Sequence, residues 1–396
     1  TVKEATADFT QIIKRSRGVA DGMSKGIQFL MKKNKITVIN GFAKIKKNKS
    51  VEVTDAEGKV SNYQADHIIL ATGGRAKQLP NLPIDGTHVI EYRKAMSLDK
   101  LPSKMVVVGA GAIGVEFAYF YRSLGTEVTI VEFMEQGLVP REDTDISKEL
   151  TKIFKKKGIL TIANTSVEKI EKLKNGVKVF TRDRKDGKEN ILECDIVLSA
   201  AGVSPNIEGI GLEDAGVVLD KGLIKVDSMY RTNVPGIYAI GDIVPGPALA
   251  HVASAEGITC VEAICGHHPE PIDYNNIPGC TYCSPEIASV GYTEAAAISA
   301  GYDIRIGKFP FSASGKASAA GAKDGFVKVI FDKKYGEFLG AHMIGMNVTE
   351  MIAEVVAARK LETTGHEILK AIHPHPTMSE TVMEATAAAY GEVIHL

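Results

Sequence analysis

Apolar positions along the chain follow two periods, and the boundary between them predicts the elements. Within residues 5–33, Phe9, Ile12, Ile13, Val19, Met23, Ile27 and Leu30 recur at helical spacing, so one long amphipathic helix is expected there. Short apolar runs then predict strands at 35–45, 50–53 and 67–70. Further strands are expected at 105–108, 127–131, 160–162, 167–173, 177–181 and 195–199, with helices after Gly114 and over 145–157. Strands alternating with helices in this way predict an α/β fold with a parallel sheet. A strand at 237–240 precedes a helix starting near Val252. From Asn275 the texture changes to strands at 327–332 and 338–343 and helices at 347–359, 365–371 and 381–389, which predicts a separate α+β domain.

One stretch ties this pattern to chemistry. The strand at 105–108 runs into Gly109-x-Gly111-x-x-Gly114, a helix follows, and the next strand ends in an acid, Glu132. Strand, glycines, helix, strand and acid in that order form a dinucleotide fingerprint. Gly109 permits the tight turn, Gly111 lets the backbone approach a pyrophosphate, and Gly114 allows the helix to pack closely. The helix N-terminus would hold the phosphates. Two weaker signals lie elsewhere. The strand at 67–70 ends in Ala71-Thr72-Gly73-Gly74, and the strand at 237–240 ends in Gly241-Asp242. The first can bring amides and a hydroxyl close to a cofactor, and an acid at the second can hold a sugar or polyol hydroxyl, or simply cap the next turn.

Near the C-terminus, Ile372-His373-Pro374-His375-Pro376-Thr377-Met378-Ser379-Glu380 leads into a helix. Glu380, five residues past His375, can orient the imidazole, which suits proton transfer near neutral pH.

Composition removes several classes. Lys plus Arg is 47 against 48 for Asp plus Glu, which gives no reason to expect nucleic acid or an anionic membrane as partner. No apolar run reaches membrane length, and the first fifteen residues, mostly polar, predict no signal peptide. The five cysteines are Cys194, Cys260, Cys265, Cys280 and Cys283. They form no secreted disulfide framework, and Cys280-x2-Cys283 has no second pair to complete a zinc site, so no metal is expected. Free cysteines without a secretory signal predict a reducing compartment, bacterial cytoplasm or, in a eukaryote, the mitochondrial matrix.

Taken together, GAGAIGVEFA, TNVPGIYAIGD, GPALAHVASAEG, PEIASVGYTE and HPHPTMSE, in this order, resemble the dihydrolipoamide dehydrogenase family of flavin disulfide reductases over nearly the whole chain. The resemblance implies Rossmann-like FAD- and NAD-binding domains followed by a C-terminal α+β dimerisation domain. It divides the chain into 1–98 (part of the FAD-binding domain), 99–226 (NAD-binding), 227–274 (a central FAD-binding segment) and 275–396 (the dimer interface). It implies NAD contacts at Gly109, Gly111, Gly114, Glu116, Glu132, Val167 and Gly202. It implies FAD contacts at Ala43, Thr72, Gly73, Gly74, Asp242, Ala248, Leu249, Ala250 and His251. His375 would be the base that deprotonates a dihydrolipoyl thiol, with Glu380 as its partner. An acid at Glu132 would accept ribose hydroxyls and repel a 2′-phosphate, which favours NAD over NADP. The implied partners are a second copy of the chain, as a homodimer, and the lipoyl domain of a 2-oxo-acid dehydrogenase or glycine-cleavage complex.

The same resemblance carries a departure. The family's first flavin motif and the helix bearing its redox disulfide are not recognised in the sequence, and Cys260 and Cys265 share the spacing but follow the second flavin motif. A chain lacking the N-terminal FAD-pyrophosphate and redox-disulfide segment is therefore expected. The alternatives are another NAD(P)H-dependent flavin disulfide reductase and a non-catalytic NAD-binding fragment.

Overall fold

A computed structural model describes residues 5–396. The expected long helix forms over Phe9–Lys33. Of the expected strand at 35–45 only Phe42–Ile45 forms, and it opens an antiparallel meander with Ser50–Thr54 and Val60–Gln64. The chain separates into two compact units.

The first unit gathers residues up to Ile13 with Gln78–Gly202 and Asn275–Leu396. Its nucleotide half is a five-stranded parallel sheet in the order Val89–Ile90, Ile196–Ser199, Lys104–Val108, Glu127–Val131, Leu160–Ile162. Both faces are covered, and alternate residues of one strand show it. Met105 and Val107 pack into a helix-lined core with Val115, Tyr121, Leu150 and Phe154. Val106 and Val108 pack the other way, against Val167, Val177 and Val179 of the antiparallel meander Thr165–Leu173, Gly176–Asp183 and Glu189–Cys194. Burial on both faces is why the parallel strands read as unbroken apolar runs rather than alternating ones.

The second half of this unit is a five-stranded antiparallel sheet, ordered Gly279–Thr281, Glu286–Gly291, Phe338–Gly345, Phe326–Asp332, Ile304–Pro310. Helices Val348–Lys360 and Glu380–Tyr390 pack on it around Val327, Val329, Phe331, Met351, Val355, Val382 and Ala385. At Gly307 a Cβ atom would sit 1.8 Å from the Ala385 carbonyl oxygen, so only glycine lets the last helix lie this close to the sheet. That contact fixes the helix whose first residue is Glu380.

The second unit combines Lys14–Lys77 with Val203–Tyr274. Ile68–Leu70 pairs parallel with Ile237–Ala239, and Gly74–Ala76 pairs antiparallel with Val203–Pro205. Its core holds Ile45, Ile68, Leu70, Ile224, Ile237 and Ile243. The expected segment limits at 98/99 and 226/227 therefore differ from the strand pairing. Val89–Ile90 joins the nucleotide sheet, while 203–205 pairs back to 74–76. Strands of two or three residues carry no readable period, and sheet neighbours are remote in sequence.

Candidate active site and cofactor cradles

The glycine segment folds as its spacing requires. Gly109 lies at φ +104°, a conformation open to glycine, and a Cβ there would meet the Ala200 carbonyl oxygen at 2.5 Å. A Cβ on Gly114 would meet the Gly109 carbonyl oxygen at 2.0 Å, so the helix Ala112–Ser123 can rest on the turn only without a side chain at that point. Gly111 is the N-cap, makes no side-chain cap bond, and has open space where its Cβ would be. The first-turn amides thus face a space a pyrophosphate can enter, which fits NAD.

Glu132 is buried, at 6% exposure. One carboxylate oxygen accepts the Ala110 N–H at 2.6 Å and the other accepts the Met134 N–H at 2.8 Å. Each oxygen keeps a further lone pair for a ribose hydroxyl, so the acid both braces the glycine turn and remains able to accept. Glu116 lies on the glycine-loop helix, half-buried, and accepts the Tyr282 N–H at 2.8 Å; burial pushes its carboxyl up. Val167 has its side chain in the core, and its carbonyl oxygen takes the Asn81 amide. Gly202, at φ +102°, is exposed with nothing within 4 Å of a Cβ position.

In the second unit the two weak signals converge. A Cβ on Gly74 would stand 2.9 Å from Asp242 Oδ2, so the Thr72-Gly73-Gly74 strand end and the Gly241–Ile243 turn are in contact. Thr72 Oγ1 donates to the Asn206 carbonyl at 2.6 Å, and the Asn206 side-chain amide returns a bond to the Thr72 carbonyl at 3.0 Å, which braces that strand end. The buried Glu256 accepts the Gly241 N–H at 2.6 Å and the Tyr274 hydroxyl at 2.7 Å, and so holds the turn that presents Asp242. The helix Ala250–Ile264 starts after Leu249 with no side-chain cap, and Ala248, Ala250 and His251 are exposed beside it. Ala43 is exposed on the meander's first strand. A glycine-lined strand end, an acid against it and an uncapped helix N-terminus fit the polyol chain and ring of a flavin. Sequence reasoning missed Asn206, which stands in no motif, and Glu256, which lies within GPALAHVASAEG without being singled out there.

The histidine segment carries the sharpest geometry. His375 Nδ1 lies 2.8 Å from Glu380 Oε1, and the other Glu380 oxygen accepts the Thr377 N–H at 2.8 Å. Burial works against the Glu380 charge, yet the Thr377 N–H and the His375 ring hold its carboxyl below the usual range, so it is a carboxylate at neutral pH. A carboxylate only accepts, so Nδ1 carries the proton and Nε2 of the neutral ring keeps its lone pair. Nε2 has no hydrogen-bond partner among the described residues, and the His375 side chain is 77% exposed. That is an oriented ring with one nitrogen facing outward. His373, two residues earlier, is placed differently. Its side chain is 7% exposed, with Nε2 at 2.7 Å from Glu354 Oε1 and Nδ1 at 3.0 Å from the Ala371 carbonyl.

The five cysteines are free thiols. Burial pushes the thiols of Cys194 and Cys260 up to about 11 and that of Cys283 up to about 12, which leaves them poor nucleophiles. Among the described residues no cluster of His, Cys, Asp or Glu is placed to hold a metal, and no helix is long and apolar enough to cross a membrane.

Comparison with known proteins gives the chain's family. The family model described as pyridine nucleotide-disulphide oxidoreductase matches residues 2–257, and its dimerisation-domain counterpart matches 277–386. The dihydrolipoyl dehydrogenase of Zymomonas mobilis is 46% identical over 389 residues, covering 98% of this chain and 83% of the relative. The mitochondrial dihydrolipoyl dehydrogenase 1 of Arabidopsis thaliana is 38% identical, covering 100% of this chain and 78% of the relative. Among solved structures, LpdA of Mycobacterium tuberculosis superposes with a TM-score of 0.89 at 28% identity, covering 97% of this chain and 84% of that one. The HOCl-induced flavoprotein disulfide reductase RclA of Escherichia coli gives 0.87 at 27% identity, covering 96% and 86%. The expectation of a fragment lacking its N-terminal FAD and disulfide segment is corrected by these matches. The pyridine nucleotide-disulphide oxidoreductase model matches from residue 2, and the alignment with curated relatives covers 98% of the chain. The chain belongs to the pyridine nucleotide-disulphide oxidoreductases, in the family of the dihydrolipoyl dehydrogenases.

Proposed function

We propose that His375 is the base of this enzyme and Glu380 its orienting acid. The reaction is that of a dihydrolipoyl dehydrogenase: dihydrolipoamide is oxidised to lipoamide and NAD is reduced, with FAD between them. The observation that carries the assignment is the 2.8 Å bond between His375 Nδ1 and Glu380, which leaves Nε2 unengaged on an exposed ring. Nε2 takes a proton from a dihydrolipoyl thiol, and the imidazolium that forms lies against the Glu380 carboxylate, which offsets its charge. The thiolate left behind is the reactive form of the substrate sulfur. Bound flavin supplies two-electron chemistry linking thiols to the nicotinamide. On this chain Asp242, Thr72–Gly74 and 248–251, with Ala43, would hold it. Gly109, Gly111, Gly114, Glu116, Glu132, Val167 and Gly202 would hold NAD.

The dimerisation domain at 277–386 makes the protein a homodimer, and the exposed His375 stands on that domain. The substrate's natural carrier in this reading is the lipoyl domain of a 2-oxo-acid dehydrogenase or glycine-cleavage complex, met in bacterial cytoplasm or a mitochondrial matrix. An exposed base suits a swinging arm delivered from another protein.

The test compares two reactions of the purified holoenzyme. His375→Gln lowers dihydrolipoamide-dependent NAD reduction about 10²- to 10⁴-fold, the range of a lost general base. NADH-driven reduction of an artificial dye, which needs no thiol proton transfer, persists. Equal loss of both reactions, or of neither, refutes the assignment.

A further inference from the structure

His373 makes two bonds that only a charged ring can make together. Glu354 Oε1 at 2.7 Å from Nε2 and the Ala371 carbonyl at 3.0 Å from Nδ1 are both acceptors, so both ring nitrogens must donate. With Glu354 ionised the ring is an imidazolium, and with only 7% of the side chain exposed it is held among protein groups rather than solvated. Its bond to Glu354, then burial working the other way, then the charge of Glu354 govern its titration, and the net result is a raised value. The groups that face it are Glu354 from helix Val348–Lys360, Glu380 from the last helix and the Ala371 carbonyl from its own loop.

This ring sits at the root of the exposed loop that carries His375. Ile372 is 99% exposed and His375 77% exposed on its side chain, while Met378 at the far end of the loop is buried with Met351, Ile352 and Val355. Its polar fixed points are the Thr377 hydroxyl bond to the Pro374 carbonyl at 2.7 Å, the Glu380 bonds, and His373. Of these, only His373 ties the loop to the helix Val348–Lys360 on the sheet. We propose that His373 is a positioning residue, a fixed imidazolium clamped between Glu354 and the Ala371 carbonyl, which holds the loop so that the His375 ring meets Glu380. A charge-assisted bond on a nearly buried ring is stiffer than the exposed loop around it. The inference rests on the assignment of His375 as base.

The experiment uses the holoenzyme with Glu354→Gln, His373→Gln, the double variant and His375→Gln. The readout is the ratio of dihydrolipoamide turnover to NADH-driven dye reduction, followed against pH, with a melting curve for each protein. The clamp predicts a ratio lowered about tenfold in each single variant, the scale of a misplaced catalytic group. The double variant should lose no more than the singles, as expected of one shared interaction. The wild-type ratio should decline as pH rises through the raised His373 value, and that limb should vanish in His373→Gln. A scaffold role alone would lower both reactions together in step with the melting temperature, and that result overturns the clamp. So does a fall of the ratio in His375→Gln with none in His373→Gln and Glu354→Gln. A wild-type ratio in His375→Gln overturns the base assignment, and the clamp with it.

Discussion

Two constellations of cations and carboxylates stand in the same unit, and they do opposite work. Around Lys328, Asp143 Oδ1 lies at 2.9 Å, Asp145 Oδ2 at 3.2 Å and Glu294 Oε2 at 2.7 Å, with Lys328 and Asp143 each only 2% exposed. Every proton of the ammonium is taken. At His375 a single carboxylate engages one nitrogen of an exposed ring and leaves the other to solvent and substrate. The denser cluster looks more like an active site and is the worse candidate. It joins the start of helix Thr144–Lys156 to the strand Phe326–Asp332 and so ties nucleotide half to dimerisation half, with no ammonium proton to spare. Saturation marks structure, and an oriented but unfilled valence marks chemistry.

The largest effect that would sharpen this contrast is on stability. Lys328→Met leaves Asp143 buried without its cation and should cost about 3–5 kcal/mol, the scale of breaking a buried pair from one side. Denaturant unfolding measures it, and turnover per folded molecule should stay near wild type. The acid limb follows from the same cluster. Burial opposes the charges of Asp143 and Asp145, but Lys328 holds both below the ordinary carboxylate range. Depressed folded values give stability that is present above the unfolded value near pH 4 and is lost as pH falls through the folded ones. Wild type should therefore lose stability steeply below about pH 4, and Lys328→Met less steeply. Identical slopes would mean the lysine contributes nothing to the acid limb.

The second effect probes the other constellation. Glu380→Gln keeps the shape and removes the charge that faces the ring, so thiol-dependent turnover should fall about 10²-fold, at the low end for general-base chemistry, with the fold intact. A drop in melting temperature in place of a drop in the turnover ratio would put Glu380 with Lys328, on the structural side of the comparison.

How far the sequence exposed each constellation depended on distance along the chain. His375 and Glu380 are five residues apart, and the strand, glycines, helix and acid of 105–132 are contiguous, so both could be read directly. The Lys328 cluster draws on three segments, and Glu354 reaches His373 from nineteen residues away on a helix. No local period encodes such meetings, because side-chain contact there is decided by how helices cross a sheet. The contact of Gly74 with Asp242 lies between: each end looked weak alone, and the fold made them one site. The strands 89–90 and 203–205 were unreadable because two or three residues have no period, and their pairing is what sets the domain limits.

The smallest effect tests whether close backbone approach or side-chain chemistry governs the nucleotide cradle. In Gly114→Ala the new methyl would lie 2.0 Å from the Gly109 carbonyl oxygen, a backbone atom that cannot rotate away, so the helix must lift from the turn. Overpacking of this kind costs about 1–3 kcal/mol. Part of it should appear as weaker NAD binding, since the lifted helix carries the first-turn amides with it. Isothermal titration with NAD separates that from a general loss, provided flavin absorbance is unchanged. Gly307→Ala is the matched control, with its methyl 1.8 Å from the Ala385 carbonyl under the last helix. It should spare NAD affinity and lower thiol-dependent turnover, because the displaced helix begins with Glu380. If both alanines weakened NAD equally, the two halves of the unit would answer as one, and the separation of cradle from base drawn above would fail.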